Sequence, residues 1–270
     1  MTPSIPLLQV EGLRVTYRAS GGEPAAPAVK DLSFELAAGE TLALVGESGS
    51  GKTTTGYALL GLLPAAAAVE ARRLAFEGAD LLRADERRLQ QIRGGRIGMI
   101  FQDALSALNP LMTVGDQIAE AVRIHRRVNR RTARQQALAL LKKVRIPQAE
   151  SRLDDYPHRL SGGMRQRVVI AMALAGNPSL LIADEPTTAL DVTIQAQIVS
   201  LLLTLQQELG MAILLITHDL GVVAEMADRV AVLRYGECLE HQDAAALYRA
   251  PRHPYTRQLL AARPPVGGRR

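Results

Sequence analysis

The feature of this sequence that most constrains its fold is a glycine-rich segment placed between a short apolar run and a stretch with helical spacing. Residues Gly46–Thr53 read Gly-Glu-Ser-Gly-Ser-Gly-Lys-Thr; they follow the β-rich run Thr41–Val45 and lead into Lys52–Leu63, which Pro64 ends. Glycines at this spacing let backbone N–H groups converge on an anion at the start of a helix. The pattern predicts a phosphate-binding loop (P-loop) in a strand–loop–helix unit.

Two side chains of this loop have distinct predicted roles. Lys52 reaches the β- and γ-phosphates of a nucleotide, and Thr53 offers a hydroxyl to Mg²⁺. The segment therefore predicts a site for a nucleoside triphosphate and Mg²⁺. Its predicted binding residues are Gly46, Glu47, Ser48, Gly49, Ser50, Gly51, Lys52, Thr53 and Thr54.

A second apolar run, Leu180–Ala183, ends in the two carboxylates Asp184 and Glu185. Ligands bind at the carboxyl ends of parallel strands, and a P-loop needs an acidic strand end for its metal. Two adjacent acids after a strand can alternatively mark the start of a helix. With the P-loop upstream, we expect Asp184 to hold Mg²⁺ and Glu185 to polarise an attacking water.

The segment Leu160–Arg167, Leu-Ser-Gly-Gly-Met-Arg-Gln-Arg, offers a second anion-binding helix end. Ser161 can cap a helix, while Gly162 and Gly163 allow close approach to the backbone. One chain thus carries two predicted phosphate cradles, far apart in sequence.

The spacing of apolar residues predicts an α/β fold. Strands that alternate with helices indicate a mostly parallel sheet covered on both faces, and the region from Leu105 to Leu160 has the spacing of an inserted set of helices. The strands Leu7–Tyr17 and Val29–Leu36 indicate an antiparallel β layer at the amino-terminal side. The remaining predicted elements are the strands Arg96–Phe101, Leu180–Ala183, Ala212–Ile216 and Val230–Leu233 and the helices Gly162–Ala175, Thr193–Leu209 and Leu220–Ala227.

Composition excludes several classes of protein. Hydrophobic residues make up 47% and charged residues 22%, an ordinary globular balance. The longest nearly uncharged stretch, Ala58–Val69, is interrupted by Pro64 and is shorter than the roughly 20 residues of a membrane-spanning helix. Residues Met1–Val10 lack the pattern of a secretory signal. A single cysteine, Cys238, is typical of a protein in a reducing cytoplasm.

The charge pattern argues against a nucleic-acid partner. The net charge is +5, but the basic residues are scattered, with the densest run from Arg123 to Arg134. Aromatic residues are only 3%, too few for base-stacking platforms. We interpret the basic run as a solvated helix face.

The segment Leu160–Arg167 resembles the signature motif of the ABC ATPase family, a group of P-loop NTPases. The resemblance implies an ATP- and Mg²⁺-dependent ATPase in which the signature of one subunit closes over the γ-phosphate held by its partner. The further positions that match the family are Tyr17 (adenine stacking), Gln102 (Mg²⁺ and attacking water), Asp191 (in the interface loop Ala189–Asp191) and His218 (γ-phosphate).

Three of these residues have structural alternatives when each is taken alone. Tyr17 could be an aromatic at the edge of the core, Gln102 a solvated loop residue and His218 a histidine satisfied at a strand end. Their joint order favours the functional interpretation. The resemblance implies one nucleotide-binding domain, with residues 1–102 and 162–262 as its core, 103–161 as a helical subdomain and 263–270 as a disordered tail.

Four segments resemble the peptide/nickel importer subfamily, and most closely the first of its two unlike ATPase subunits. They are Ser106–Pro110, Thr113–Ile118, Asp184–Thr193 and His253–Thr256. The resemblance implies a peripheral position on the cytoplasmic face of the cell membrane. The implied partners are a second ATPase subunit, unlike or identical, two membrane-spanning permease subunits that dock at Ala104–Thr113, and an extracytoplasmic substrate-binding protein.

The cargo stays open between peptides and nickel or a metallophore. Many peptide-importing members carry cysteines in a carboxy-terminal tail, where an iron–sulfur cluster is thought to bind, whereas this sequence ends at Arg270 without them. A soluble ABC ATPase that acts on an assembly scaffold or on nucleic acid is the alternative function.

Overall fold

The computed structural model describes residues 6–18, 27–103 and 106–262. Its strands are β1 (Leu8–Tyr17), β2 (Pro27–Leu36), β3 (Thr41–Val45), β4 (Ala67–Glu70), β5 (Arg73–Phe76), β6 (Ala79–Asp80), β7 (Ile97–Ile100), β8 (Leu180–Asp184), β9 (Ala212–Thr217), β10 (Arg229–Arg234) and β11 (Glu237–Asp243). Its helices are α1 (Lys52–Leu59), α2 (Glu86–Ile92), α3 (Val114–Arg126), α4 (Arg130–Lys143), α5 (Ala149–Arg152), α6 (Gly162–Ala173), α7 (Val192–Leu209), α8 (Leu220–Met226), α9 (Ala244–Arg249) and α10 (Pro254–Ala261). The predicted tail Arg263–Arg270 lies outside the described residues.

A parallel sheet forms the centre of the molecule, as predicted. Its strand order is β11-β10-β3-β9-β8-β7, and only β11 runs antiparallel to its neighbour. Successive residues of β3 enter two different cores: Ala43 and Val45 pack on one face, and Leu42 and Leu44 on the other. Strands buried on both faces are apolar along their whole length, and for this reason the apolar runs of the sequence predict the central strands.

An antiparallel sheet covers one face of the parallel sheet. Its order is β2-β1-β5-β6, and β4 pairs with the far part of β1. In β2, Leu32, Phe34 and Leu36 are buried while the residues between them are exposed, the alternation of a half-buried strand. The predicted pairing of an antiparallel layer from β1 and β2 is confirmed, whereas β4, β5, β6 and α2 were not predicted.

The predicted helical insertion follows β7. Thr113 begins α3 by accepting a hydrogen bond from Asp116 N at 3.2 Å, and Asn129 begins α4 by accepting one from Thr132 N at 2.9 Å. These helices pack against α6 in the core that also contains Ala43 of the parallel sheet. The division of the chain into a core and a helical subdomain stays a prediction.

Some elements end a few residues from their predicted limits. Helix α1 ends at Leu59 instead of Leu63, because the chain turns at Gly61 with a φ of 60° that favours glycine. Within the described ranges, no helix combines the length and the apolar character that a membrane crossing requires.

Candidate nucleotide site

The P-loop connects β3 to α1 and depends on glycine at two close approaches. A Cβ atom on Gly46 would lie 2.1 Å from the carbonyl oxygen of Leu233, and one on Gly51 would lie 2.5 Å from that of Ala28. Gly51 also has a φ of 98° at the start of α1, a conformation that other residues rarely adopt. The loop is thus held tightly against β2 and β10.

Lys52 is buried inside the loop that it belongs to. Its Nζ donates to the carbonyl oxygens of Gly46 at 2.7 Å and Glu47 at 2.9 Å, and to Ser50 Oγ at 3.3 Å. Burial lowers the pKa of Lys52, while the charge of Glu185 is the largest of those that oppose this shift. The ammonium group therefore lies in a partly desolvated pocket where its charge acts strongly on an anion.

Asp184 lies fully buried at the end of β8 and meets the P-loop through Thr53. The Thr53 hydroxyl donates to Asp184 Oδ1 at 3.1 Å, whereas the buried Oδ2 has no hydrogen-bond partner among the described residues. Burial raises the pKa of Asp184 to about 6; the Thr53 hydrogen bond opposes this and the charge of Glu185 adds to it. A hydroxyl beside a carboxylate oxygen without a partner fits a hard cation such as Mg²⁺, which prefers oxygen ligands.

We expect Asp184→Asn to raise the melting temperature of the nucleotide-free protein by about a few degrees at pH 8. Because folding raises the pKa of Asp184 from 3.8 to about 6, its ionised form lowers the free energy of unfolding above that range. The amide of Asn carries no charge and so removes the cost of the buried carboxylate. The rise in melting temperature should therefore be smaller at pH 5 than at pH 8, because Asp184 itself is largely protonated at pH 5. Thermal unfolding at both pH values measures it.

The control for this change is Asp154→Asn, which alters an exposed carboxylate paired with Arg134. It should leave the melting temperature nearly unchanged. A lower melting temperature of Asp184→Asn at pH 8 would contradict the assigned cost of the buried charge.

Glu185 follows Asp184 and is held at both carboxylate oxygens. His218 Nδ1 lies 2.7 Å from Oε1, and the Thr188 hydroxyl donates to Oε2 at 2.6 Å. An ionised carboxylate only accepts hydrogen bonds, so His218 donates through Nδ1 when Glu185 is charged. Glu185 is nearly buried while the His218 side chain is 64% exposed. The carboxylate is therefore fixed in direction at the edge of an open space.

A cavity of about 510 Å³ joins these elements. Gln102, two residues beyond the end of β7, lies on its wall with Glu185 and His218. Leu259 of α10 also lines it, a residue that was not predicted. The described residues that line it are Gly46, Glu47, Ser48, Gly49, Ser50, Gly51, Lys52, Thr53, Thr54, Gln102, Glu185, His218 and Leu259.

Tyr17 is not among the residues that line this cavity. It lies half-buried at the end of β1, packed against the core beneath the antiparallel sheet. Its proposed contact with adenine stays a prediction.

The second predicted anion cradle lies apart from the cavity. Ser161 Oγ accepts a hydrogen bond from Met164 N at 3.4 Å and begins α6, and Asp191 Oδ1 accepts one from Ile194 N at 2.9 Å and begins α7. A Cβ atom on Gly163 would lie 2.6 Å from Ile194 Cγ2, so the two helix starts pack against each other. Ser161, Gly162 and Asp191 are exposed, and none of these residues lines the cavity.

Two glutamines that sequence reasoning did not single out connect these parts. Gln166 Nε2 donates to the carbonyl oxygen of Pro186, just after Glu185, at 2.7 Å. Gln195 Nε2, on α7, donates to Asp219 Oδ2, just after His218, at 2.6 Å. A long-range side-chain contact of this kind has no local signal in the sequence.

Comparison with known families agrees with this geometry. Residues 29–188 match the family model described as "ABC transporter". The oligopeptide transport ATP-binding protein OppD of Bacillus subtilis is 51% identical over 96% of this chain and 72% of its own length. The dipeptide transport ATP-binding protein DppD of Escherichia coli is 52% identical over 96% of this chain and 78% of its own length.

A third relative is longer. The glutathione import ATP-binding protein GsiA of Pectobacterium atrosepticum is 50% identical over the whole of this chain, which spans 44% of that protein.

Two solved structures have the same fold. The bacterial ABC transporter cassette MJ0796, solved as a dimer, has a TM-score of 0.77 at 29% identity and covers 88% of this chain and 98% of its own. CbiO1 of Clostridium perfringens, part of the ABC transporter complex CbiONQ, has a TM-score of 0.77 at 28% identity, and the match covers 91% of both chains. A P-loop between a strand of the parallel sheet and a helix, an acidic strand end and these relatives together show that the chain belongs to the ABC transporter family, as one of its ATP-binding ATPase cassettes.

Proposed function

We propose that this chain hydrolyses ATP to power the import of di- or oligopeptides, as a peripheral subunit on the cytoplasmic face of the membrane. The observation that carries the proposal is the cavity in which Lys52, Thr53, Glu185 and His218 meet. The names of the relatives favour peptide cargo over nickel or a metallophore, which the sequence left open.

Binding of ATP would begin with the P-loop. Lys52 Nζ now contacts neutral oxygen atoms of its own loop, and phosphate oxygens would be stronger partners because both groups are charged. Thr53 and Asp184 would hold Mg²⁺, which when bound neutralises charge on the phosphates. Gln102, just beyond β7, would contact Mg²⁺ and the attacking water.

Glu185 would activate water for attack on the γ-phosphate. His218 and Thr188 hold one carboxylate oxygen each, so the group cannot rotate freely. Phosphoryl transfer depends mainly on positioning and electrostatic stabilisation, and a fixed carboxylate can orient a water and accept its proton. His218, exposed beyond Glu185, would contact the γ-phosphate.

A second ATPase subunit, unlike or identical, would complete the site. The helix start at Ser161, Gly162 and Gly163 lies outside the cavity of its own chain. Ser161 and Gly162 are exposed there, with Asp191 exposed beside them, whereas Gly163 is buried. An exposed helix start can bind an anion, so the partner's signature would close over the γ-phosphate.

The membrane-spanning permeases would dock in a groove beside Gln102. This groove has a volume of about 390 Å³ and lies between the end of α1, β7 and the helices α3 and α6. Most of its lining is apolar, and Leu62 and Phe101 are about two-fifths exposed there. A helix with an apolar face fits such a groove. Ala107 lines it, as the predicted docking segment implies, while Ala104 and Leu105 lie outside the described residues.

Leu62→Asp tests this function. We expect the variant to bind ATP normally but to lose co-purification with the permeases from detergent-solubilised membranes, and with it ATP-dependent uptake of labelled dipeptide. A buried carboxylate in the groove would be costly for an apolar helix to cover. Co-purification and uptake are both measured in cells that express the chain together with the permease subunits.

Leu82→Asp is the matched control, because Leu82 is 39% exposed and Leu62 40%, but Leu82 lies outside the groove. The Leu82→Asp variant should still co-purify with the permeases and support uptake of labelled dipeptide. Normal uptake by Leu62→Asp would place the docking surface elsewhere. If the unaltered chain neither co-purified with a membrane protein nor supported uptake, the import function itself would be wrong.

A further inference from the structure

The carboxy-terminal helix α10 reaches the nucleotide cavity, although none of the roles described above uses it. It begins within His253–Thr256, a segment that resembles the peptide/nickel importer subfamily but has no predicted role. Leu259, half-buried on this helix, is the only part of the cavity lining that comes from beyond His218 in the described residues.

A buried carboxylate fixes the start of this helix. Glu240, on β11, is 7% exposed; its Oε1 accepts from Arg252 N at 2.8 Å and its Oε2 accepts from His253 N at 3.0 Å. Burial alone would raise the pKa of Glu240, but its hydrogen bonds hold the pKa below the ordinary value. His253 Nδ1 accepts from Tyr255 N at 3.1 Å. Several hydrogen bonds thus fix the start of α10 against β11.

Tyr255 places the helix against the P-loop. Its ring is 3% exposed and lies 4.5 Å from the Arg234 guanidinium carbon, at the end of β10. The neighbouring residue Leu233 is the one whose carbonyl oxygen crowds Gly46. Burial raises the pKa of the Tyr255 phenol, whose oxygen has no hydrogen-bond partner among the described residues. The ring therefore packs beside the end of β10 that lies against the P-loop at Gly46.

We propose that α10 is a wall of the nucleotide site, in which Leu259 contacts the bound nucleoside triphosphate and Tyr255 is a positioning residue for the P-loop. This inference rests on the proposed function. An apolar side chain at the rim of a polar cavity excludes water from one side, which strengthens the attraction between phosphates and Lys52. The helix would then affect nucleotide affinity without taking part in hydrolysis.

Opposite charges at position 259 test the contact. Leu259→Asp should weaken ATP binding about tenfold, since it places a carboxylate beside the phosphates, while Leu259→Lys should bind ATP at least as tightly as the unaltered chain. The difference should shrink when the salt concentration is raised. Titration with a fluorescent ATP analogue, repeated with ATP by calorimetry, measures both.

Leu260→Asp is the matched control, because Leu260 is the next residue on α10, is equally half-buried and does not line the cavity. If a charged variant does not fold, Leu259→Ala tests the same contact, and we expect it to weaken ATP binding about threefold. If Leu259→Asp and Leu259→Lys weakened ATP binding equally, or if Leu260→Asp weakened it as much as Leu259→Asp, the role of α10 would be purely structural and the proposed contact would be wrong. Normal binding in all these variants would overturn the proposal.

A kinetic comparison tests Tyr255. Tyr255→Ala should raise the KM for ATP with little change in kcat, and Tyr255→Phe, which keeps the ring on Arg234, should restore KM. An unchanged KM in Tyr255→Ala, or a loss confined to thermal stability, would contradict the positioning role. Failure of the proposed import function is distinguishable, because the unaltered chain would then neither co-purify with a membrane protein nor support dipeptide uptake, whatever the result at positions 255 and 259.

Discussion

Lys52→Ala is expected to weaken ATP binding by at least about 100-fold, the loss typical of removing one partner from a buried pair of charges. Lys52 Nζ lies in a pocket shared with Asp184, Glu185 and Glu47, whose charges act on its pKa. Without the ammonium group, the phosphates would meet only these carboxylates. The backbone N–H groups of the loop would remain, but they would no longer compensate for the like charges.

The loss should appear in calorimetric titration of the chain with Mg-ATP. Lys30→Ala is the control, because Lys30 also has a side-chain partner, Glu237 at 2.9 Å, but lies outside the cavity. Melting temperatures of both variants show whether each still folds, since Lys52 also bonds to three groups of its own loop. Normal affinity in folded Lys52→Ala would refute the P-loop assignment.

The P-loop and the parallel strands could be predicted because their determinants are local. The conformation of Gly46–Thr53 depends on the glycines themselves, and each central strand is an unbroken apolar run such as Leu180–Ala183. Asp184 and Glu185 follow from the position of a strand end. Their meeting with Lys52 then required only the rule that parallel strands end at one edge of the sheet.

The region between α1 and β7 could not be predicted because its strands form through distant partners. In β4, Ala67 and Val69 alternate with exposed residues over only four positions, and the strand exists because it pairs with Tyr17 and its neighbours in β1. Strand β6 has two residues. Such short segments carry little periodicity, so the pairing across the sheet decides their structure.

The cavity wall at Leu259 is a tertiary feature for the same reason. The segment His253–Thr256 resembles a known subfamily, but its position in the fold depends on the carboxylate of Glu240 and on the contact between Tyr255 and Arg234. No local pattern predicts which helix will lie against the P-loop. The expected contact of Ser161 with the partner's nucleotide is the opposite case. The signature motif predicts this contact, but a single chain cannot show it.

Glu185→Gln is expected to reduce ATP turnover by about 10²- to 10⁴-fold while leaving Mg-ATP binding nearly normal. A glutamine oxygen can still accept from Thr188, and its amide group can donate to a His218 whose proton has moved to Nε2. The shape and contacts of the site are then kept. The amide cannot accept a proton from the attacking water, so the catalytic step fails and not the binding step.

The same variant should accumulate as a dimer when ATP is present. Because the γ-phosphate would persist between the P-loop of one subunit and Ser161, Gly162 and Gly163 of the other, the closed state would not reopen after hydrolysis. Size-exclusion chromatography with and without ATP, of this chain alone and with the second ATPase subunit, measures the shift. Glu208→Gln, the same change at an exposed residue paired with Lys143, should turn over ATP normally and show no such dimer. Normal turnover in Glu185→Gln would mean that Glu185 is not the base, and His218 would then be the better candidate for positioning the water.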